Sequence, residues 1–217
     1  MTSFPGSPQL LRGGLVLIDN ETAAVLRIIA LQYNPDTLTR SFQIKGVSAE
    51  SGDHLEALRL KGPPVETIKL EAEIDATDQL ADGDPQATQM GIHPQLAVLE
   101  TIVYPSSDRL FANRSQASSG SLEIAPMQGP LTLFIFGPKR ILPVRIQEFS
   151  VTEEAFDTSL NPIRAKVSLG LRVLTVDDLG FDARGGGLFM TYLQAKEQLA
   201  AQNKAGEFGA FGITGIP

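Results

Sequence analysis

The side chains most able to do chemistry in this sequence are the carboxylates of Asp75-Ala-Thr-Asp78-Gln-Leu-Ala-Asp82-Gly-Asp84, the two histidines His54 and His93, and the glycine run Gly185 to Gly187. A dense set of aspartates could supply oxygen ligands to a hard cation such as calcium. The spacing argues otherwise. With Asp78 at the first position of a calcium loop and Gly83 at the sixth, Leu80 and Gln89 fall where an EF-hand needs carboxylates. The stretch reads as a solvated acidic turn. Each histidine stands alone in a loop-like context, without the paired spacing of a zinc protease. Ser118-Ser119-Gly120 lacks the strand-to-helix setting of a nucleophile elbow, and no G-x-S-x-G occurs. Gly185-Gly186-Gly187 is followed by Leu188 rather than by Lys and Ser or Thr, so it reads as a hinge rather than a phosphate loop. Glu153 and Glu154 are adjacent, and neighbours on a strand point to opposite faces, which does not suit a glycosidase pair. The sequons at Asn20 and Asn113 require a secretory route that the N-terminal residues do not suggest. No enzyme activity, cofactor or metal is expected.

Composition narrows the classes further. Cysteine is absent, which removes disulfides, thiolate metal sites and thiol nucleophiles together. The net charge of -7 and sequence pI near 4.9 disfavour a nucleic-acid partner. The longest apolar runs, Leu15 to Ile18 and Leu131 to Phe136, fall far short of the ~20 residues needed to span a bilayer, so integral membrane association is not expected. Hydrophobic residues at 42% and charged ones at 20% are an ordinary globular balance. Cytoplasmic synthesis is the expectation.

The elements that would position these side chains are mainly strands. Gly14 to Asp19 and Ala23 to Tyr33 flank a turn at Asn20-Glu21 and predict a hairpin, followed by a strand near Thr37 to Ile44. Residues 46 to 64 read as a long loop. From 65 to 75, Ile68, Leu70, Ala72 and Ile74 alternate with Lys69, Glu71 and Glu73, the pattern of a half-buried strand. Pro94 to Tyr104 predicts one short helix, and residues 105 to 129 an exposed connection. Strands follow at Leu131 to Gly137, Arg140 to Thr152 and Ile163 to Thr175. Gly137-Pro138-Lys139 is too short for a parallel crossover, so the sheet should be antiparallel. Leu188 to Asn203 predicts an amphipathic helix beyond the glycine hinge, and the Gly-rich tail from 206 to 217 is not expected to build regular structure alone. The division that follows is a β domain over 10–182 and a helix with a Gly-rich tail over 183–217.

Four segments carry a resemblance: Leu31-Gln-Tyr-Asn-Pro-Asp-Thr-Leu-Thr-Arg40, Lys61 to Asp78, Pro143 to Asp157, and Leu160 to Leu174. In order and combination they resemble the tube-domain proteins of contractile injection systems, relatives of phage tails. That resemblance implies a mainly β, β-rich α+β fold: an antiparallel two-sheet sandwich or barrel-like tube fold with a short central helix and a C-terminal helical extension. It also implies a homo-hexameric ring. The partners implied are the inner tube protein and the spike, hub and baseplate proteins of the same particle, assembled in the producing cell and released from it or retained. Some members end in a LysM-like module, which this tail lacks. The extension favours an adaptor that joins tube to spike or baseplate, with Phe189, Tyr192, Leu193 and Leu199 as candidate subunit or partner contacts. The competing reading is a monomeric β-sandwich that binds a carbohydrate or small ligand, although aromatics are only 6% and tryptophan is absent.

Overall fold

Alternation organises the centre of the molecule. Strand β4 (Val65–Asp75) turns Ile68, Leu70, Ala72 and Ile74 to one face, and β7 (Pro162–Val173) turns Ala165, Val167, Leu169, Leu171 and Val173 to the same face. All of these are buried, whereas Lys69, Glu71, Glu73 and Ser168 on the opposite face are exposed. The two strands pair antiparallel with Leu70 opposite Leu169. Burial of each large side chain contributes about 1.5–3 kcal/mol. A one-residue slip would invert the whole set, so this pairing holds the register of the sheet.

The computed structural model describes residues 10–46, 59–118, 129–203 and 206–216. Within them β1 (Gly14–Ile18), β2 (Val25–Ala30), β3 (Leu38–Gln43), β5 (Leu131–Ile135) and β6 (Ile141–Phe156) join β4 and β7 in one antiparallel sheet, ordered β2-β1-β5-β6-β7-β4-β3. The fold is thus β-rich α+β, as the sequence implies. The resemblance implies two sheets, but β7 bonds both β6 and β4 and so joins the two groups of strands into one. Along β6 the ladder to β5 ends at Val144, and a bulge interrupts the ladder to β7 between Ile146 and Glu148. The turn between β1 and β2 is built by Asp19, whose carboxylate accepts from the backbone N–H groups of Glu21 and Thr22 and from the Thr22 hydroxyl.

Helices cover one face. The acidic stretch is helical, with α1 (Thr77–Ala81) leading to α2 (Pro85–Met90) and α3 (His93–Glu100) where one helix is expected. Asp84 caps α2 by accepting from Ala87 N–H at 2.8 Å, and Pro85 sits in the first turn where it forfeits no bond. Gly91, at φ 55°, lets this connection approach β7. A Cβ there would lie 2.2 Å from the Pro162 carbonyl, which accepts from Ile92 N–H at 2.9 Å. Ile92, Leu96 and Leu99 then enter the main core.

Two expectations are corrected. The connection after residue 105 contains α4 (Ser107–Ser118), a helix with no buried residue; it forms where Ser, Asn and Gln suggested only loop, while residues 119–128 lie outside the described set. The glycine hinge is the first turn of α6 (Arg184–Ala201), which follows α5 (Val176–Leu179). Gly185 and Gly186 are buried, and a Cβ on Gly186 would stand 1.9 Å from the Gly180 carbonyl oxygen. Small size, not flexibility, is what these positions require. The tail carries a 3₁₀ turn at Phe208–Phe211 with its side chains exposed.

Candidate interaction site

The inward face of β4 begins with a charge. Glu66 shares the parity of Ile68 and Leu70 and is 4% exposed, a position at which a carboxylate must be compensated. Two elements meet it there. From β3, Arg40 Nε donates to Glu66 Oε1 at 2.8 Å, and from α6, Lys196 Nζ donates to Oε2 at 3.0 Å. Arg40 Nη2 also donates to Tyr192 Oη at 2.9 Å, and that hydroxyl donates to Glu66 Oε1 at 3.3 Å. The ammonium of Lys196 lies 4.1 Å from the centre of the Tyr192 ring, and the Arg40 guanidinium 5.0 Å from that of Phe42. The carboxylate is spent on fastening α6 to the β3–β4 edge.

Beside this network lies a cavity of about 310 Å³, lined by Arg40, Lys139, Arg140, Lys196, Phe136, Tyr192 and Leu199. The β5–β6 turn supplies Lys139 and Arg140, the latter with its guanidinium 5.7 Å from the Phe136 ring centre. Among the described residues no carboxylate pairs with either cation. Four cations therefore surround one buried carboxylate, a local excess of positive charge in a chain of net -7.

The sheet face away from the helices is polar. Thr37, Thr39, Lys69, Glu71, Glu148 and Ser168 line a broad concavity of about 670 Å³ there, bridged by a Lys69–Glu148 ion pair of 2.7 Å. At one lateral limit β2 is exposed along its length: Val25 at 59%, Leu26 at 55% and Ile28 at 70%. Its outer edge has no strand partner among the described residues, and Tyr104 and Phe111 are exposed as well.

The far ends of β4 and β7 are held by carboxylates. Burial pushes the Asp75 carboxyl up, but donation from the Thr77 hydroxyl and backbone N–H and from Arg164 holds it below the usual aspartate range. Asp157, held low by the side-chain amide and backbone N–H of Asn161, closes the β6–β7 turn. At the other end of β7, burial raises Asp178, and donors on Thr175 and Arg172 outweigh it in the capping box of α5.

The candidate contacts separate by environment. Phe189 and Tyr192 are buried in the chain's own core, Leu193 packs partly against it, and Leu199 is exposed beside the basic cavity. The boundary drawn at 182/183 falls just before α6. His93 is exposed at the start of α3, and His54 lies outside the described residues. Among the described residues no group of His, Cys, Asp and Glu could hold a metal ion, and no helix is long and apolar enough to cross a membrane. Glu66 and Arg40 were not singled out from sequence. The signal was present in β4, where Glu66 falls on the apolar parity of an alternating strand.

No family model and no curated protein matches the chain. Among solved structures, a chain of the tail of an empty GTA particle with C6 symmetry is 14% identical over 75% of this chain and 90% of its own, with a TM-score of 0.29. A chain from the virion of a native gene transfer agent particle is 12% identical over 74% of this chain and 95% of its own, with a TM-score of 0.26.

Proposed function

We propose that the chain is a structural, non-enzymatic subunit of a contractile, phage-tail-like particle, forming a homo-hexameric ring that joins the inner tube to the spike and baseplate. The observation that carries this reading is β2, an edge strand unpaired on its outer side among the described residues, whose Val25, Leu26 and Ile28 face solvent. A bare apolar edge is an aggregation hazard unless a neighbour covers it, and lateral contact around a closed ring does so for every copy. The polar sheet face suits the wall of a water-filled channel, because Thr39, Lys69, Glu71 and Ser168 need no cover. The four resembling segments support the same assignment. Inner tube, hub and baseplate proteins are the partners in this reading, met after synthesis in the cytoplasm.

The test is electron microscopy and light scattering of the full chain, alone and co-expressed with tube and baseplate components, for wild type and Leu26→Lys/Ile28→Lys. The reading expects sixfold rings from wild type and no rings, at unchanged melting temperature, from the variant. A wild-type chain that stays monomeric and never enters particles would return the monomeric binding-module reading.

A further inference from the structure

The net negative charge of this molecule is gathered at one end. Residues 71–84 and 153–166 hold nine acidic side chains and two basic ones, a surplus equal to the net charge of the whole chain, -7. The ladder brings them together: Asp75 is opposite Arg164, Glu154 is opposite Arg164, and α1 continues directly from Asp75. Asp78 and Asp82 on and after α1 are exposed, and neither forms an ion pair with another described residue. The opposite end of β4 begins at the basic cavity. The eleven residues of β4 separate the two by about 33 Å.

We infer that the Arg40–Lys139–Arg140–Lys196 cavity is a carboxylate-binding site, and that its occupant is the Asp78–Asp82 turn of a second copy of this chain, docked head to tail. Arg40 and Lys196 are already engaged by Glu66, so Lys139 and Arg140 supply the unspent charge at its mouth. Phe136 and Leu199 give the incoming turn an apolar wall, against which the exposed Ala81 between the two aspartates can rest. Because the acceptor and donor surfaces lie at opposite ends of one strand, the contact is heterologous and propagates along the strand direction. Two like ends would repel. This contact is separate from the lateral one at β2 and does not depend on ring closure.

Two full-length variants test it: Lys139→Glu/Arg140→Glu, whose two ends are both acidic, and Asp78→Lys/Asp82→Lys, whose two ends are both basic. Neither touches the Glu66 network, and circular dichroism with melting temperature verifies folding. Sedimentation is run at about 0.01 M and about 1 M ionic strength, where the Debye length is about 30 Å and 3 Å. Wild type should associate at low salt and dissociate at high salt, and each variant alone should lose at least about tenfold in association constant. An equimolar mixture should regain it, since every contact in an alternating stack again pairs opposite charges. The inference is overturned if wild type does not associate, if either variant alone associates like wild type, or if the mixture does no better than its components. Rings that form but never stack would overturn this contact alone, and a wild type that stacks without ever forming rings would overturn only the lateral one.

Discussion

The hydroxyl of Tyr192 lies 3.3 Å from Oε1 of Glu66, joining the start of strand β4 to the middle of α6 across 126 residues of sequence. Around that bond Arg40 and Lys196 hold the carboxylate from two sides. Glu66→Gln removes the negative charge while keeping the shape, leaving both cations without a counter-charge. Arg40 and Lys196 are partly open to water, so the expected loss is about 2–3 kcal/mol, below the full range for a broken buried pair. Urea midpoints measure it. A double-mutant cycle with Lys196→Met should return a coupling of at least about 0.5 kcal/mol, and additivity would show that the two side chains do not act together.

Gly186 and Gly187 are neighbours with opposite surroundings. Alanine at 186 would drive its Cβ into the Gly180 carbonyl, whereas nothing lies within 4 Å of a Cβ at 187. Gly186→Ala should lower the melting temperature markedly. Gly187→Ala should leave it unchanged or raise it, since alanine favours a helix by up to about 1 kcal/mol over glycine. Equal tolerance at both would mean that the run acts as a hinge.

Truncation after Asp182 removes Phe189 and Tyr192 from the core together with the partners of Glu66. Loss of one large aromatic costs about 3–5 kcal/mol, and a domain of this kind holds only about 5–15 kcal/mol in total. The truncated chain should therefore unfold non-cooperatively or accumulate as aggregate. A sharp thermal transition near that of the full chain would refute the packing of α6 as a core element.

Leu169→Asp should be far more damaging than Ser168→Asp. Leu169 is 3% exposed, so the new carboxylate must either be buried unpaired or take up a proton, at a cost of several kcal/mol. Ser168 faces the open polar side, where aspartate is solvated. Chemical denaturation of the two variants side by side decides the strand's register: equal losses would mean that the strand is buried on both faces, and a reversed order would place the register one residue away.

Asp75, Asp157 and Asp178 all have folded-state pKa values below that of a free aspartate, 3.8. A depressed acid contributes stability that is fully present above its unfolded pKa and lost as pH falls through the folded one. Stability should hold level from neutrality down to about pH 5 and decline below about pH 4. Asp178→Asn should flatten that decline by removing one of its contributors, which also include the Asp19 carboxylate held low by donors on Thr22. Melting temperatures across the acid range give the comparison.

Much of the architecture was legible because its signal is local. Alternation in β4 and β7 depends on side chains two residues apart, and both strands bury the residues it assigned inward. The glycine run failed as a hinge for the opposite reason: whether a glycine bends or merely fits depends on the Gly180 carbonyl and Leu179, which no spacing rule brings beside it. α4 was missed because its stability is not written in an apolar stripe; none of its residues is buried. The basic cavity draws Arg40, Lys139 and Lys196 from three elements spread over more than half the chain, so only the fold could assemble it.

Strand β6 runs on for twelve residues past Val144, where its ladder to β5 ends, and from there β7 is its one strand partner among the described residues. Its backbone is a single continuous member joining the β2-β1-β5 half of the sheet to the β7-β4-β3 half. Ladder bonds lie across the strand direction, so a pull along β6 strains the whole row at once and resists as a shear joint. A pull across it would open the row bond by bond, like a zipper. A molecule loaded along this axis would thus carry tension along one continuous strand, whose row of bonds to β7 is interrupted by the bulge between Ile146 and Glu148.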